Sequence, residues 1–489
     1  MFRNYDHLGF NNPYYFNNTD GFVIAEKFHE ILGKYGEKRI IDPVAVIELL
    51  TNGYIFGDRS IIQGINKTPW LARPNSTLNK WEFATVAKHG ELDINEEEIA
   101  DYLFDKICNE ILSYTEKKRT IGILLSGGMD SRIVAGTLDF LIKTGRLKNI
   151  DVTALTWGNE ESRDVNYGKE IAFRLNWKWK HYSITENNLL NNIYETALRG
   201  CEYSPINLHA IPQIKNDNEL DVILAGTYGD SIGRGEYSRK KYKNLTPINR
   251  DIENIMGLVN NLIYEEYKDH VAEDIIRYHD LFPEKLSYMQ YELDYQQHYL
   301  RRMLNACMGV LSEKIEVCQV FTHPYIYNYV FPIGHQRRND LVYKFLLQKF
   351  RTTLDDIPWA RTGLPFGQSR GKPDNLSKET VSYIRLIKNG IYDYILEQIN
   401  SYEIRNIGIF DNKSVNRLTY FIKYLPTNTL YYFDKLVWLS SVAEMIKIYN
   451  IQGLSYSIFR KKNKVKSSSM RLYEYIMNLA KIKLYWLLK

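Results

Sequence analysis

The alternation of short apolar runs with segments of helical length between residues 120 and 226 constrains the fold of this chain most strongly. The apolar runs predict strands, and the segments between them have the apolar periodicity of amphipathic helices. The predicted strands are 120–125, 151–157, 180–184 and 221–226, and the predicted helices are 93–118, 131–145 and 162–176. Strands separated by helices of this length are typical of parallel βαβ units. We therefore predict an α/β fold with a parallel sheet and helices on both of its faces.

The rest of the 489-residue chain is organised differently on the two sides of this region. Residues 1–90 predict a small mixed subdomain of short strands and loops, because Gly, Asn and Pro interrupt every apolar run. Residues 93–400 form the predicted main domain, and 401–489 a helical extension that ends in a basic tail. The irregular stretch 357–375 is rich in Pro and Gly, and a loop of that length in a compact domain is often functional.

Composition excludes several classes of protein. The net charge of +5 is too small to indicate nucleic-acid binding, and the four cysteines form no CxxC pair for a zinc or iron–sulfur site. The first residues lack the pattern of a signal peptide, and no apolar run is long enough for a membrane helix. We expect a cytoplasmic protein. The basic amphipathic segment 470–489 either packs on the main domain or contacts a membrane surface.

A Ser-Gly-Gly sequence follows the first predicted strand, where ligands bind in βαβ sheets. Gly127 and Gly128 allow backbone N–H groups to approach an anion at the start of a helix, and Ser126 and Ser131 add hydroxyl donors. Asp130 would repel a bare phosphate, so its presence predicts a bridging Mg²⁺. The alternative is a glycine-rich turn that binds nothing.

The sequence S-G-G-x-D-S after an apolar strand resembles the pyrophosphate-binding loop of the ATP-pyrophosphatase superfamily, whose fold is adenine nucleotide alpha hydrolase-like. The resemblance implies that ATP and Mg²⁺ are required, and that ATP is cleaved between its α and β phosphates. It assigns ATP binding to six residues of the loop, namely Leu125, Ser126, Gly127, Gly128, Asp130 and Ser131.

Further stretches resemble the asparagine synthetase family within that superfamily. In 222–237, the resemblance places Gly226 at the nucleotide and Asp230 as a second metal ligand beside Asp130; the alternative is that Asp230 caps a turn. In 154–184, it places Thr156 and Trp157 beside the adenosine, although Trp157 also suits a core position.

The stretch 305–334 is similar to the family's Glu-Val-Arg-x-Pro-Phe-Leu-Asp signature. Glu316, Val317 and Phe321 match it, whereas Cys318, Val320 and His323 depart from it, and His323 is interpreted as a packed loop histidine. The segments 342–350 and 357–367 are similar to the family's basic helix and loop. They place Arg361 where the family carries a lysine that neutralises pyrophosphate; the alternative is a surface ion pair.

Two departures bear on the reaction. Glutamine-using relatives expose a cysteine at residue 2, whereas Phe2 stands here and no cysteine precedes Cys108, so 1–90 resembles a truncated glutaminase domain without its nucleophile. Thr227 occupies the place of a family Glu, and a threonine hydroxyl is a poor general base. The neighbouring Tyr228 is either a substitute or a packing tyrosine.

The favoured interpretation is an ATP-dependent, AMP-forming ligase that adenylates a carboxylate and forms an amide with ammonia or an amine. The nitrogen source is free ammonia, an amine or a separate glutaminase, and the carboxylate belongs to a small molecule, a sugar or a peptide. Two alternatives stay open: an enzyme of the same superfamily that modifies tRNA, and a non-catalytic nucleotide-binding scaffold.

Overall fold

The structure is a computed structural model that describes residues 12–75, 77, 79–85, 88–90, 92–216, 220–235, 254, 256–368, 370–423 and 430–454. Phe2 and the basic tail 455–489 lie outside the described residues. The described strands β1–β10 are Tyr14–Asn18, Gly21–Ala25, Asn66–Lys67, Ala72–Asn75, Lys80–Phe83, Thr120–Leu124, Asp151–Trp157, Lys178–Tyr182, Val222–Ala225 and Glu316–Gln319.

Five strands form a wholly parallel central sheet in the order β10-β9-β6-β7-β8. The first strand in sequence, β6, lies in the middle, where Leu124 pairs with Leu155 of β7 and Ala225 of β9. Four of the five strands confirm the predicted ones, with β8 displaced by two residues toward the N-terminus. Strand β10 was not predicted, because its four residues sit among helices and carry no distinct alternation.

The helices that surround the sheet begin close to where the sequence predicts. Helices α1–α8 are Phe28–Lys34, Pro43–Asn52, Glu96–Thr115, Met129–Lys143, Arg163–Arg174, Glu186–Leu198, Ile211–Lys215 and Gly229–Ile232. The later α-helices are Asn261–Leu281, Ser287–Asp294, Asn305–Ser312, Pro324–Val330, Asp340–Gln348, Tyr383–Leu386, Tyr392–Ile399, Tyr402–Asn406, Asn412–Ile422 and Leu430–Tyr449. Tyr295–Leu304 and Ile387–Ile391 are π-helical, and Pro205–Leu208 and Val320–Thr322 are 3₁₀ turns.

Two hydrophobic cores lie on opposite faces of the sheet, as period-two alternation along the strands requires. Ile121 and Ile123 of β6 face one core together with α3, α4 and α5. Leu124 faces the other, which contains α6, the subdomain formed by β1–β3 with α1 and α2, and the helix Leu430–Tyr449. The predicted α/β fold with helices on both faces is therefore confirmed.

The last described helix lies between the N-terminal subdomain and α6. Lys435 donates from Nζ to the carbonyl of Leu49 at 3.1 Å, and the Trp438 indole donates to the carbonyl of Cys201 at 2.8 Å. The N-terminal subdomain and the C-terminal helices consequently share one core with the sheet. Among the described helices, none combines the length and the apolar character that crossing a membrane requires.

Candidate active site

The Ser-Gly-Gly loop occupies the carboxyl end of β6, at the centre of the sheet. Ser126 and Ser131 bring their hydroxyl oxygens to 3.2 Å, and the Gly128 amide donates to Ser126 Oγ at 3.1 Å. The Gly127 amide donates to the carbonyl of Asp164 at 3.0 Å. These bonds hold the loop and fix the start of α4, whose first turn is a site suited to an anion.

Close packing against Asp130 explains both glycines of the Gly226–Gly229 turn. A Cβ on Gly226 would lie 2.7 Å from the Asp130 carbonyl carbon, and one on Gly229 would lie 2.7 Å from Asp130 Oδ1. Asp230 follows Gly229 directly in α8 and accepts from its neighbour Ser231 at 3.2 Å. The structure therefore brings Asp130 and Asp230 to adjacent strand ends, as the sequence predicts.

Arg234 is the main cation facing these carboxylates in the described part of the chain. Its guanidinium is buried, with Nε 3.7 Å from Asp130 Oδ1 and NH1 3.1 Å from Asp340 Oδ1. Burial by itself lowers the pKa of Arg234, but Asp130 and the other acidic groups outweigh it and raise the pKa above its usual value. The charge of Arg234 is therefore permanent. The rings of Tyr343 and Trp359 lie 5.1 and 5.5 Å from the Arg234 guanidinium carbon.

Thr227 and Tyr228, the two predicted catalytic residues of this turn, occupy different environments. Thr227 is half-buried and donates from Oγ1 to Gln319 Oε1 at 3.1 Å, and Gln319 donates in turn to Asn305 Oδ1 at 2.9 Å. Tyr228 takes a left-handed backbone conformation with φ of 73°, which is strained for a tyrosine, and its side chain lies in the core. The placement of Tyr228 suits the packing alternative, while Thr227 is the one that faces other polar groups.

Thr156 and Trp157 end β7 next to the loop. The Thr156 hydroxyl is buried and donates to the carbonyl of Leu125 at 2.7 Å, so it holds the loop in place. Trp157 is half-buried, and its ring stacks on His209 with centroids 5.8 Å apart. Burial lowers the pKa of His209 to about 4, so this imidazole is neutral at physiological pH. Trp157 therefore places a half-buried aromatic ring at the edge of the sheet, next to the loop.

The irregular segment 357–375 packs directly on the Ser-Gly-Gly loop. The Ala360 amide donates to the carbonyl of Gly127 at 3.1 Å, and buried Arg132 of α4 donates to the carbonyls of Ile357 and Pro358 at 2.6 and 2.8 Å. Arg361 follows Ala360, is exposed, and lies 4.6 Å from the Trp359 ring. The predicted cationic residue is therefore adjacent to the predicted anion-binding loop.

His323, one of the signature positions that depart from the family pattern, caps the helix Pro324–Val330. Its Nδ1 accepts from the Tyr325 amide at 3.2 Å, and its Nε2 lies 3.3 Å from Glu110 Oε2. Burial raises the pKa of Glu110 to about 7. This arrangement agrees with the interpretation of His323 as a packed loop histidine.

Three residues of the site, Arg234, Gln319 and Tyr343, were not singled out by the sequence. Arg234 lies in the glycine-rich tail of the 222–237 segment, so a basic residue four positions after Asp230 was the available signal. Gln319 and Tyr343 carry no such signal, because the pairing of β10 with β9 and the helix Asp340–Gln348 bring them to the site. Burial raises the pKa of Tyr343 well above its ordinary value, and Asp130 adds to this effect.

The side chains of this site fit Mg²⁺ only if the phosphates of a bound substrate supply the remaining ligands. Groups of three or more His, Cys, Asp or Glu side chains able to hold a metal are absent from the described residues. Mg²⁺ is commonly held by one or two carboxylates together with substrate phosphates, and Asp130 and Asp230 satisfy that requirement.

The parallel sheet, the closed Ser-Gly-Gly loop at its carboxyl edge and the adjacent aspartates define an α/β protein with a candidate anion-binding loop. Residues 113–313 match the sequence model of the asparagine synthase family.

Individual relatives are distant. Over 211 residues, the chain is 26% identical to a candidate asparagine synthetase (glutamine-hydrolyzing) of Methanocaldococcus jannaschii. The match covers 40% of this chain and 37% of the relative. The chain therefore matches little more than a third of that relative's length. Among solved structures, a U34-tRNA thiolase of Methanococcus maripaludis, NcsA, is 13% identical with a TM-score of 0.22, over 48% of this chain and 91% of its own.

Proposed function

We propose that this protein activates a carboxylate with ATP, releases pyrophosphate, and joins the activated acyl group to ammonia or an amine. The observation that carries the proposal is the position of Asp130 in the closed Ser126–Ser131 loop, against Gly226 and Gly229, within an asparagine synthase domain. The loop, the two aspartates Asp130 and Asp230, and the nearby arginines surround one region at the carboxyl edge of the sheet. Ligands bind at this edge in α/β proteins.

The loop supplies the binding of the β and γ phosphates of ATP. The first-turn amides of α4 and the hydroxyls of Ser126 and Ser131 are donors, and the helix N-terminus adds a partial positive charge. Asp130 and Asp230 would hold Mg²⁺ together with phosphate oxygens, where the ion neutralises the charge of the pyrophosphate. Trp157 supports this arrangement as a flat surface for the adenine ring.

In the first half of the reaction, an oxygen of the substrate carboxylate attacks the α-phosphorus. The bond from that phosphorus to the bridging oxygen breaks, and pyrophosphate leaves with the electron pair. Arg361, exposed beside the loop, and Arg234, beside Asp130, are the cations that face the negative charge developing there.

In the second half, the neutral amine attacks the acyl carbon, the bond from that carbon to the AMP oxygen breaks, and AMP leaves with the electron pair while the proton lost by the amine passes to the departing phosphate or to solvent. The Thr227 hydroxyl already donates its hydrogen to Gln319, so its oxygen lone pairs remain available to accept an N–H of the amine. Thr227 would thus orient the amine rather than remove its proton. Correct positioning of two reactants accounts for a large part of such a rate enhancement.

The decisive experiment compares Asp130→Asn with Asp280→Asn, an exposed aspartate of the helix Asn261–Leu281 that serves as the matched control. Purified proteins receive ATP, Mg²⁺ and a panel of carboxylates with ammonium or amino acids, and pyrophosphate and AMP are measured. We expect turnover in the control and a loss of about a hundredfold or more in Asp130→Asn. Equal pyrophosphate release from both variants would contradict the proposal.

A further inference from the structure

A second cavity lies away from the Ser-Gly-Gly loop, between the N-terminal subdomain and the segment 301–313. Its volume is about 550 Å³, within the range of small-molecule sites. Exposed side chains, among them Lys27, His29 and Glu313, form its mouth. Its floor is formed by buried side chains, among them Tyr14, Lys67, Glu202, Tyr203, Arg302 and Asn305.

Lys67 is the cation at the floor whose donors are least used. Its Nζ donates to the carbonyl of Asn12 at 3.1 Å, while Glu202 Oε2 stands 3.8 Å away, beyond hydrogen-bond distance. The ammonium lies 3.3 Å from the centroid of the Tyr14 ring. Because a lysine ammonium has three N–H donors, Lys67 retains capacity for an acceptor that the described residues do not supply.

The charge around Lys67 is not balanced by the cavity's own carboxylates. The buried cations of the lining are Lys67, Arg301 and Arg302, and they face one buried carboxylate, Glu202. Glu202, the one buried glutamate, already binds Arg302 NH2 at 3.0 Å through Oε2. Buried cations are stable when an opposite charge accompanies them, so the excess favours an anionic ligand.

Unsatisfied polar atoms accompany this excess charge. Among the described residues, Tyr203 OH, Glu202 Oε1 and Arg302 Nε are buried and have no hydrogen-bond partner. Buried polar groups are ordinarily paired, with protein, water or a ligand. Three such atoms in the lining of one cavity indicate that hydrogen-bond partners are missing there.

The remaining walls are apolar and aromatic. The ring of Phe28 packs against Tyr14 at 5.4 Å and against Tyr449 at 5.2 Å between centroids, and Ala306 completes this side. A fully hydrophilic ion such as phosphate would leave these surfaces in contact with water. The walls therefore suit a ligand with an apolar body in addition to its charge.

We propose that this cavity binds a small organic carboxylate with an apolar body, whose carboxylate pairs with the Lys67 ammonium. The site is separate from the proposed ATP site, and its existence does not depend on the proposed function. It is nevertheless connected to that site, because Asn305 of its floor accepts from Gln319, which in turn accepts from Thr227. Occupancy of the cavity can thus affect the position of Thr227.

The test is calorimetric titration of the whole protein at about pH 6, where Lys67 carries its charge, with phenylpropionate, with the neutral phenylpropionamide and with acetate. We expect saturable binding of phenylpropionate and binding at least about tenfold weaker for the amide, which lacks the charge, and for acetate, which lacks the ring. This comparison uses the unaltered protein, so it does not depend on the folding of any variant.

Variants then locate the site. Lys67→Gln should weaken phenylpropionate about tenfold or more, Lys67→Arg should largely restore it, and Lys285→Met, at an exposed lysine outside the cavity, should bind like the unaltered chain. Asp130→Asn should also bind normally, which separates this site from the ATP site. Equal affinity for acid and amide, absence of saturable binding, or unchanged binding in Lys67→Gln would overturn the proposal.

Discussion

Gly226 lies against the backbone of Asp130, and this contact joins the end of β9 to the first turn of α4. An added Cβ would stand 2.7 Å from both the Asp130 carbonyl carbon and the Ser131 amide nitrogen. Neither atom belongs to a side chain that can rotate away. The close approach of the predicted metal-binding aspartate to the turn after β9 therefore requires that residue 226 has no side chain.

Gly226→Ala should displace the first turn of α4 and thereby damage the loop. We expect a loss of about 1–3 kcal/mol in the free energy of unfolding, together with weaker ATP binding. Urea denaturation and nucleotide titration measure the two effects. Gly33→Ala is the control, because a Cβ there meets nothing within 4 Å. Equal stability and equal ATP affinity in the two variants would show that the contact is tolerated.

Removing the charge of Arg234 should destabilise the protein. Arg234→Met leaves Asp130 and Asp340, which are partly exposed to solvent, without their shared guanidinium, and we expect a loss of about 1–3 kcal/mol. The double variant with Asp340→Asn should lose less than the sum of the two single variants, since one partner is then already neutral. Strict additivity in denaturation experiments would mean that the pair is not coupled.

Arg361 should matter for turnover and not for stability, because its side chain is exposed. We expect Arg361→Ala to change the free energy of unfolding by less than about 0.5 kcal/mol and to slow pyrophosphate release about tenfold to a hundredfold. Arg351→Ala, another exposed arginine of the same region, is the control for a general charge effect. A normal rate in Arg361→Ala would favour the surface ion pair considered from the sequence.

Glutamine should not serve as nitrogen donor for this polypeptide alone, whereas ammonium or a primary amine should. All four cysteines are buried, and burial raises the pKa of Cys108 to about 12, so no thiolate forms near neutral pH. The measurement is glutamate release from glutamine by the purified chain in the presence of ATP and Mg²⁺. Sustained release would contradict the expectation and would require another nucleophile.

The stability of the protein should rise with pH above neutrality because of Lys67. Burial lowers the pKa of Lys67 from 10.5 to about 7, and the nearby charged groups are Glu202, Arg301 and Arg302. Between these two values the unfolded chain binds more protons than the folded chain, so the free energy of unfolding increases with pH. The rise between about pH 7 and pH 9 should be smaller in Lys67→Met. Identical slopes for both proteins would show that Lys67 is not the responsible group.

Local sequence pattern predicted the central fold because the strands of a parallel sheet and their crossover helices are encoded in consecutive residues. The strand 151–157 was predicted with its bounds, and the first strand and its helix to within two residues at either end. The Ser-Gly-Gly loop was recognisable for the same reason, since Ser126 to Ser131 are contiguous and the loop closes through bonds among its own residues. The site assignments that rest on the resemblance stay predictions.

Tertiary structure alone decided which distant residues meet. Gln319 reaches Thr227 only because β10 pairs in parallel with β9. A strand of four residues among helices is too short for its periodicity to predict it. Arg234 meets Asp340 across more than a hundred residues, and Lys67 meets Glu202 across the boundary of the N-terminal subdomain. Sequence determines local conformation through short-range sterics and hydrogen bonding, whereas these ion pairs and the cavity exist because hydrophobic burial folds separate segments onto the same sheet.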